Sequence, residues 1–496
     1  MCFIDDIMLV DKNTLYHTLS KICGSKNLSN DPILLEEYSS DMSFYEGVMP
    51  KFIVWPKNVK QIIEILNLAN QIKFSIIPVS SSLKFRHHGD TIPRNDDSII
   101  LNLSKMKKIH SIDRKNRVVM VEPGVDFANL IPKLKKKGLR LLLPLSPTGE
   151  KSVLTSALER EPITIPRYHW DSSDPLLCIE VVFGTGDLFR TGTAAGPGSI
   201  KQQKLKGLAQ VNPMGPTQFS PYRVIQGAQG SLGVVTWATL KLELIPTHQK
   251  VFHYQSNKIE EILDFQQKLV QFRLCDETII LNNLNLACLL KEKKEEIKNL
   301  VNKLAKWNLI FIISGRGKLA TDKLEYLEGD IDDLIKASNF KQLEKSTLDN
   351  FDAILKCINE STLKPWRARY RGEYQDIFFI SNFESIVKYI SIVETKYKDE
   401  FGVYIQPINQ GSSYHCEFDL FYDPKNNVKR NEIKNQFLKI SSDLMDSGAF
   451  FNRPYGYWAK EMYARHSKYT SIALKKVKGI FDPNNVLNPG VLCFDE

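Results

Sequence analysis

The stretch from Gln226 to Leu244 constrains this chain more than any other. Three glycines, Gly227, Gly230 and Gly233, run directly into an alternating pattern. Val234, Ala238, Leu240, Leu242 and Leu244 fall on one face; Val235, Trp237, Thr239, Lys241 and Glu243 fall on the other. A period of two predicts a half-buried β-strand entered from a glycine-rich turn. Glycine in such a turn means a positive φ or a backbone that another group approaches closely. The exposed N–H groups can then hold phosphate or the polar edge of a heterocycle. An ordinary glycine-rich hairpin carries the same letters, so the rest of the chain has to decide.

A chain of 496 residues is too long for one core and implies two or three domains. Hydrophobic residues make up 43% and charged residues 25%, the balance of an ordinary globular protein. The opening MCFIDDIMLVDK is acidic where a secretory signal is basic, so a cytoplasmic protein is expected. The cysteines at 2, 23, 178, 275, 288, 357, 416 and 493 never form C-x-x-C, so no zinc ribbon or iron–sulfur cluster is legible and free thiols are expected. The net charge of +9 comes from lysines spread over helix faces and linkers. No basic stripe interleaved with aromatics argues for nucleic acid.

In order, Asn13 to Lys21 reads as a helical lead-in. Phe52–Trp55, the amphipathic helix Val59–Ile72 and Phe74–Ile77 form a βαβ unit, closed by Pro78, Val79, Ser80, Ser81, Ser82 and Leu83. The adjacent His87 and His88 read as a surface pair. Arg117–Pro123 is a strand, Phe127–Lys137 a helix stopped by Gly138, and Pro144 and Pro147 mark a loop. Leu176–Arg190 reads as a hairpin turning at Gly184–Asp187. Beyond Val251, strands and helices alternate in two β-α-β-like passes, including a helix Leu290–Trp307, which predicts an antiparallel sheet with helices on one face. Lys318 to Lys364 is a charged insertion between the halves.

The segment G-A-Q-G-S-L-G-V-V-T resembles the G-x-x-G-T-x-G-I-[IV]-T segment of the vanillyl-alcohol oxidase/p-cresol methylhydroxylase flavoproteins. Five blocks follow that family's order. They include V-E-P-G-V at 121–125, the hairpin at 176–190, and I-F-D-P-N-N-V-L-N-P-G at 480–490. The chain is most similar to the D-lactate dehydrogenase and glycolate oxidase FAD-subunit branch. Two departures stand out: Val79 and the serines at 80–82 replace the family's Arg and glycines, and Leu154-Thr155 replace a pair of glycines. The resemblance implies an α+β fold, with a two-lobed FAD-binding domain of the PCMH type at 1–247 (lobes about 1–112 and 113–247). It also implies a ferredoxin-like α+β cap with an antiparallel sheet at 248–450, and a C-terminal segment at 451–496 returning to the FAD domain. FAD contacts are expected from Pro78, Val79, Ser80, Ser81, Ser82, Leu83, Pro144, Ser152, Val153, Asp174, Leu177, Gly230, Gly233, Val234, Val235 and Asn488. Some members of the family bond the flavin to a histidine; His87 and His88 do not match the usual place of that motif, so the FAD is expected to be non-covalent.

The function this implies is FAD-dependent oxidation of a 2-hydroxy acid or related alcohol. Electrons would pass to a separate acceptor, a protein or a quinone, from an enzyme that forms a homodimer or joins an iron–sulfur-containing complex. A phenolic alcohol oxidase-like enzyme and a degenerate, non-catalytic scaffold are the alternatives. An anionic substrate calls for Arg with its planar fork. If 366–373 is extended, Arg367, Arg369 and Arg371 share one face, though a charged edge strand would look the same. His415 and Glu417 share a strand face and suit a base and its orienter, or two metal ligands. The family's metal motif is absent here, which favours a catalytic or substrate-contact histidine over a metal site, with a merely hydrogen-bonded strand histidine as the equal alternative. Tyr457, in the aromatic run 455–458, is a candidate wall of the site.

Overall fold

The computed structural model describes residues 12–81, 86–166, 175–215, 222–338, 340–348 and 350–494. Ser82, Leu83 and Asp174 lie outside the described residues, as does the polar run Tyr168–Asp171.

Three sheets organise the chain. In the first, strands Leu28–Ser29, Phe52–Val54, Ser98–Asn102 and Ser75–Val79 lie side by side in that order. The last three are parallel, and the helix Val59–Ile72 is the crossover. Asn58 caps that helix by accepting the Gln61 N–H, and Lys73, at φ 59°, ends it. Ile62, Ile65, Leu66 and Ala69 bury against Phe52, Val54, Ile76, Ile99 and Leu101. Helical spacing in the sequence puts these four on one face.

The second sheet is antiparallel and centres on Gly233–Leu244. This strand pairs with Val118–Val121, Leu139–Leu141 and Leu176–Phe183. It is buried on both faces, not half-buried as its alternation predicts. Its register against Leu176–Phe183 shifts between Val235 and Trp237 and again between Ala238 and Leu240, so positions change face along its length. Val235, Ala238 and Leu240 enter the core under the helix Phe127–Lys135. Val234 packs with the first sheet, and Trp237 packs with Met120, Cys178 and Ala194.

The third sheet holds seven strands, ordered Glu344–Lys345, His248–Ser256, Trp307–Gly315, Glu277–Asn282, Phe401–Ile408, Ser413–Tyr422 and Glu373–Ser381. Every pairing is antiparallel, as expected. Helices cover both faces, however, rather than one. Ile259–Gln271, Ala320–Ser338, Ile386–Lys396 and Asn427–Asp446 pack one side; Asn283–Leu290, Lys294–Val301 and Phe351–Asn359 pack the other. The helix expected over Leu290–Trp307 is shorter, Lys294–Val301; Leu290 ends the helix before it and Trp307 opens a strand. No helix among the described residues is long and apolar enough to cross a membrane.

The C-terminal segment stitches the first two sheets together. Leu487 bridges to Ile76. Asp482 accepts the N–H groups of Val486 and Leu487. The buried Lys478 ammonium donates to Asp482 and to the Ser231 and Leu487 carbonyls. The F-D-P-N-N-V-L-N-P-G run therefore clamps the glycine turn against the strand Ser75–Val79.

Candidate active site

A cleft of about 1240 Å³, counting its open mouth, lies where the first two sheets meet beneath the third. Pro78, Val79, Ser80 and Ser81 line one side; Gly230, Gly233, Val234 and Val235 line another. The strand Ser75–Val79 delivers the first group and the glycine turn the second. Gly227 and Gly230 have φ of 71° and 70°, a region that L-residues avoid. A Cβ on Gly230 would sit 3.2 Å from the Pro78 ring, and one on Gly233 would sit 2.5 Å from Val181. Both positions need glycine.

The serine loop makes its own polar surface. The Ser80 and Thr155 hydroxyls pair across the lobes. Ser81 Oγ accepts the Ser152 N–H at 3.1 Å. Ser152 caps the short helix Val153–Leu158 and donates to Pro123. Asn488 donates to the carbonyls of Asp90 (2.7 Å) and Gln229 (2.6 Å), while its own Oδ1 is buried without a partner. Hydroxyls, a bare glycine backbone and an unused buried acceptor fit a dinucleotide such as FAD. Other expected contacts stand behind the lining. Val153 is in the core of the second lobe, Pro144 bridges Ile163, and Leu177 is half-buried on its strand.

The two histidines are not on the surface. Both are largely buried and line the cleft, because Asp376 draws them inward. His87 Nε2 lies 3.1 Å from Asp376 Oδ1, and His88 Nε2 lies 3.6 Å from Oδ2. Aromatic rings hold both imidazoles flat: His87 stacks on Tyr374 and His88 on Tyr455, each at 4.5 Å between centroids. Burial disfavours the His88 cation, but the Asp376 carboxylate outweighs it and raises the pKa. Burial opposes ionisation of Asp376 too, yet His87 and His88 hold its pKa well below the usual range. Burial, and then the Glu159 carboxylate, push Asp90 beside them up to about 6.

Asp376 belongs to a polar sheet face. It lies opposite Asp419, and Tyr404 and Gln406 lie opposite Glu417 and His415, so all six point the same way. His415 Nε2 is 3.1 Å from Glu417 Oε2, as their shared face predicts. His415 is only 1% exposed and sits behind Phe378, one layer back from the cleft. Burial lowers its pKa despite Glu417. Burial opposes ionisation of Glu417 as well, but Arg367 outweighs it. Burial, then Glu417, push the Asp419 carboxyl well above the carboxylate range, although Arg367 opposes them.

The three arginines form no common row. Trp366–Arg369 is a 3₁₀ turn after Pro365 instead of a strand, and a turn fans the side chains apart. Arg367 pairs with Glu417 and Asp419. Arg369 donates to the carbonyls of Cys288 and Leu289 at the end of a helix. Arg371 pairs with Asp399 and Glu400. The Tyr457 ring lies tilted against Tyr45; it is Tyr455 that reaches the cleft.

A different arginine stands unsatisfied. Arg453 is 5% exposed, lies 4.3 Å over the Phe378 ring, and its buried Nε has no hydrogen-bond partner among the described residues. Phe378 in turn touches His88 and Tyr455. Arg453, Asp376 and Tyr455 carried weak sequence signals. The clearest was an acid at 376, beside the apolar run Ile377–Ile380 that reads as a buried strand.

Residues 50–192 match the FAD binding domain family. The mitochondrial D-lactate dehydrogenase [cytochrome] of Arabidopsis thaliana is 20% identical over 467 residues, 91% of this chain and 75% of that one. Glycolate oxidase subunit GlcD of Bacillus subtilis is 22% identical over 482 residues, 95% of each. The structure of p-cresol methylhydroxylase with substrate bound superposes with a TM-score of 0.81 at 18% identity, covering 97% of each chain. An FAD binding domain, relatives along most of the chain that are FAD-linked dehydrogenases, and a cleft lined by bare glycine backbone converge on an FAD-dependent oxidoreductase that shares the fold of p-cresol methylhydroxylase.

Proposed function

We propose that this protein dehydrogenates a small anionic alcohol of the 2-hydroxy-acid class and passes the electrons to a separate acceptor. The observation that carries the reading is Arg453. A guanidinium buried without a hydrogen-bonded partner is costly, and a ligand carboxylate would complete it. Its Coulombic neighbour Glu161 is already occupied by Lys151 at 2.6 Å. Arg453 therefore replaces Arg369 and Arg371 as the proposed anchor.

The same reading makes residues 1–247 the FAD-binding unit, 248–450 the cap over it, and 451–496 the returning segment. Bound FAD supplies the acceptor for the hydride leaving the carbinol carbon. Residues of the chain do the rest. Arg453 holds the carboxylate and Phe378 shields it from water. His88, in its neutral form, takes the hydroxyl proton. Asp376 fixes the imidazole and stabilises the cation that results. His415 and Glu417 support this arrangement from behind Phe378. The D-lactate dehydrogenase and glycolate oxidase relatives suit such a substrate.

The Tyr455 ring, which lines the cleft with Phe378 edge-on to it, favours a second reading, a phenol or benzylic alcohol, in keeping with p-cresol methylhydroxylase. Anaerobic mixing of the FAD-loaded protein with both classes separates them. The proposal expects loss of flavin absorbance with D-2-hydroxy acids. Reduction by para-alkylphenols alone would replace it with the second reading.

A further inference from the structure

His88 borders two cavities. Besides the FAD cleft, it lines a smaller annex of about 320 Å³, counting its mouth, together with Ser43, Tyr45, Gln375, Tyr455 and Tyr457. The geometry follows from the sheet edge. Glu373–Ser381 is the outermost strand on that side. Successive side chains on a strand point to opposite faces, so Asp376 looks toward the cleft and Gln375 toward the annex. The stacked rings of His88 and Tyr455 form the partition between the two spaces.

The annex contains an unmet polar group. Gln375 is 4% exposed, and its Oε1 is buried with no hydrogen-bond partner. A buried amide oxygen left unpaired costs free energy comparable to a lost hydrogen bond. The annex also has polar company for a water: the Ser43 hydroxyl, which accepts the Tyr45 N–H, and the Tyr457 hydroxyl. A roomy polar cavity with several partners is where an ordered water sits. His88 Nε2 faces Asp376 at 3.6 Å, beyond hydrogen-bond reach, and is buried with no hydrogen-bond partner.

We propose that the annex holds an ordered water bonded to Gln375 Oε1, and that this water carries away the proton His88 takes from the substrate. This rests on the reaction proposed above. The carbinol C–H bond breaks and leaves with its electron pair to FAD. The O–H proton moves to His88, a C=O double bond forms, and His88 returns to its neutral form by giving that proton to the annex water and so to solvent. The exit avoids the cleft, which the product still fills. Gln375 is a positioning residue: it holds the water and touches neither substrate nor FAD.

Two measurements test this. A high-resolution crystal structure of the FAD-loaded protein should show a water within hydrogen-bond distance of Gln375 Oε1; an annex without one overturns the proposal. In single-turnover anaerobic reduction with a pH-indicator dye, wild-type proton release should keep pace with the loss of flavin absorbance. In Gln375→Leu, release should lag flavin reduction by about 100-fold, the lower end of what positioned proton transfer contributes. Release that keeps pace in the variant overturns the proton route. If no alcohol reduces the wild-type flavin, the proposed function fails and takes the proton route with it. The water site then stands or falls on the crystal structure.

Discussion

Replacing Asp376 by Asn removes one charge and leaves the shape. Asp376 accepts one hydrogen bond from His87 at 3.1 Å and faces His88 at 3.6 Å. One charge-assisted hydrogen bond in a buried site is worth about 1.5–3 kcal/mol. The effect on His88 follows from the causes of its shift. With the carboxylate gone, burial is the largest remaining cause, opposed only by Glu159, and lowers the pKa that Asp376 had raised. The acid limb of the pH profile for flavin reduction should therefore move to lower pH. The rate on the plateau should fall by about 100-fold, the lower end of what a positioned general base contributes. Stability should respond with its own sign. The raised His88 pKa stabilises the fold below about pH 6.5, and this is lost as pH rises through the folded value. The depressed Asp376 pKa stabilises it above about pH 3.9, and this is lost as pH falls through the folded value. The pair thus contributes most between about pH 4 and 6.5. Urea unfolding should show the widest gap between wild type and Asp376→Asn in that window and a narrower gap at pH values above it. An acid limb that stays in place, with a gap independent of pH, would refute the assignment of His88 and Asp376 as a coupled pair.

Arg453→Met should lower kcat/KM for an anionic alcohol by about 10–100-fold, the loss of one charge-assisted anchor, while the FAD spectrum stays unchanged. Steady-state kinetics on the carboxylate substrate and on its uncharged ester checks this, since the ester should lose far less. Gly230→Val forces a side chain into a left-handed φ, a cost of about 1–2 kcal/mol before the contact with Pro78 is counted. The ratio of flavin to protein absorbance after purification should drop. Asn488→Ala removes two hydrogen bonds that tie the tail to Asp90 and Gln229, and should destabilise the protein by about 1–3 kcal/mol by denaturant unfolding. Acid precipitation of the holoprotein should leave the yellow colour in the supernatant; colour retained in a washed pellet would show a covalent flavin.

The elements were legible where a period and its caps agreed. Val59–Ile72 carries a helical stripe, an Asn before it and a stop after it, and it forms as read. Gly233–Leu244 shows the limit of that method. Its alternation is real, but the register shifts against Leu176–Phe183, and the chain at 191–215 covers what would have been its solvent face. Neither partner can be read from the strand's own residues. The dinucleotide end of the site was legible because it is built from contiguous runs, Pro78–Ser81 and Gly230–Val235. The substrate end was not, because it is assembled from far-separated residues. His87 and His88 looked like a surface pair until Asp376, 288 positions beyond His88, closed over them. The arginine row failed for a local reason: Pro365 starts a 3₁₀ turn, and a period of two does not apply inside it. Arg453 needed three-dimensional evidence, since what marks it is the absence of a partner.

The central claim is that the cleft between the two lobes holds FAD and that the bound flavin accepts electrons from an alcohol. The visible absorption spectrum of the purified or FAD-reconstituted protein, recorded anaerobically before and after addition of a D-2-hydroxy acid, tests it most directly. The account predicts an oxidised flavin spectrum that bleaches on addition of the acid and returns when an electron acceptor is supplied. A colourless protein that takes up no FAD on reconstitution would contradict it.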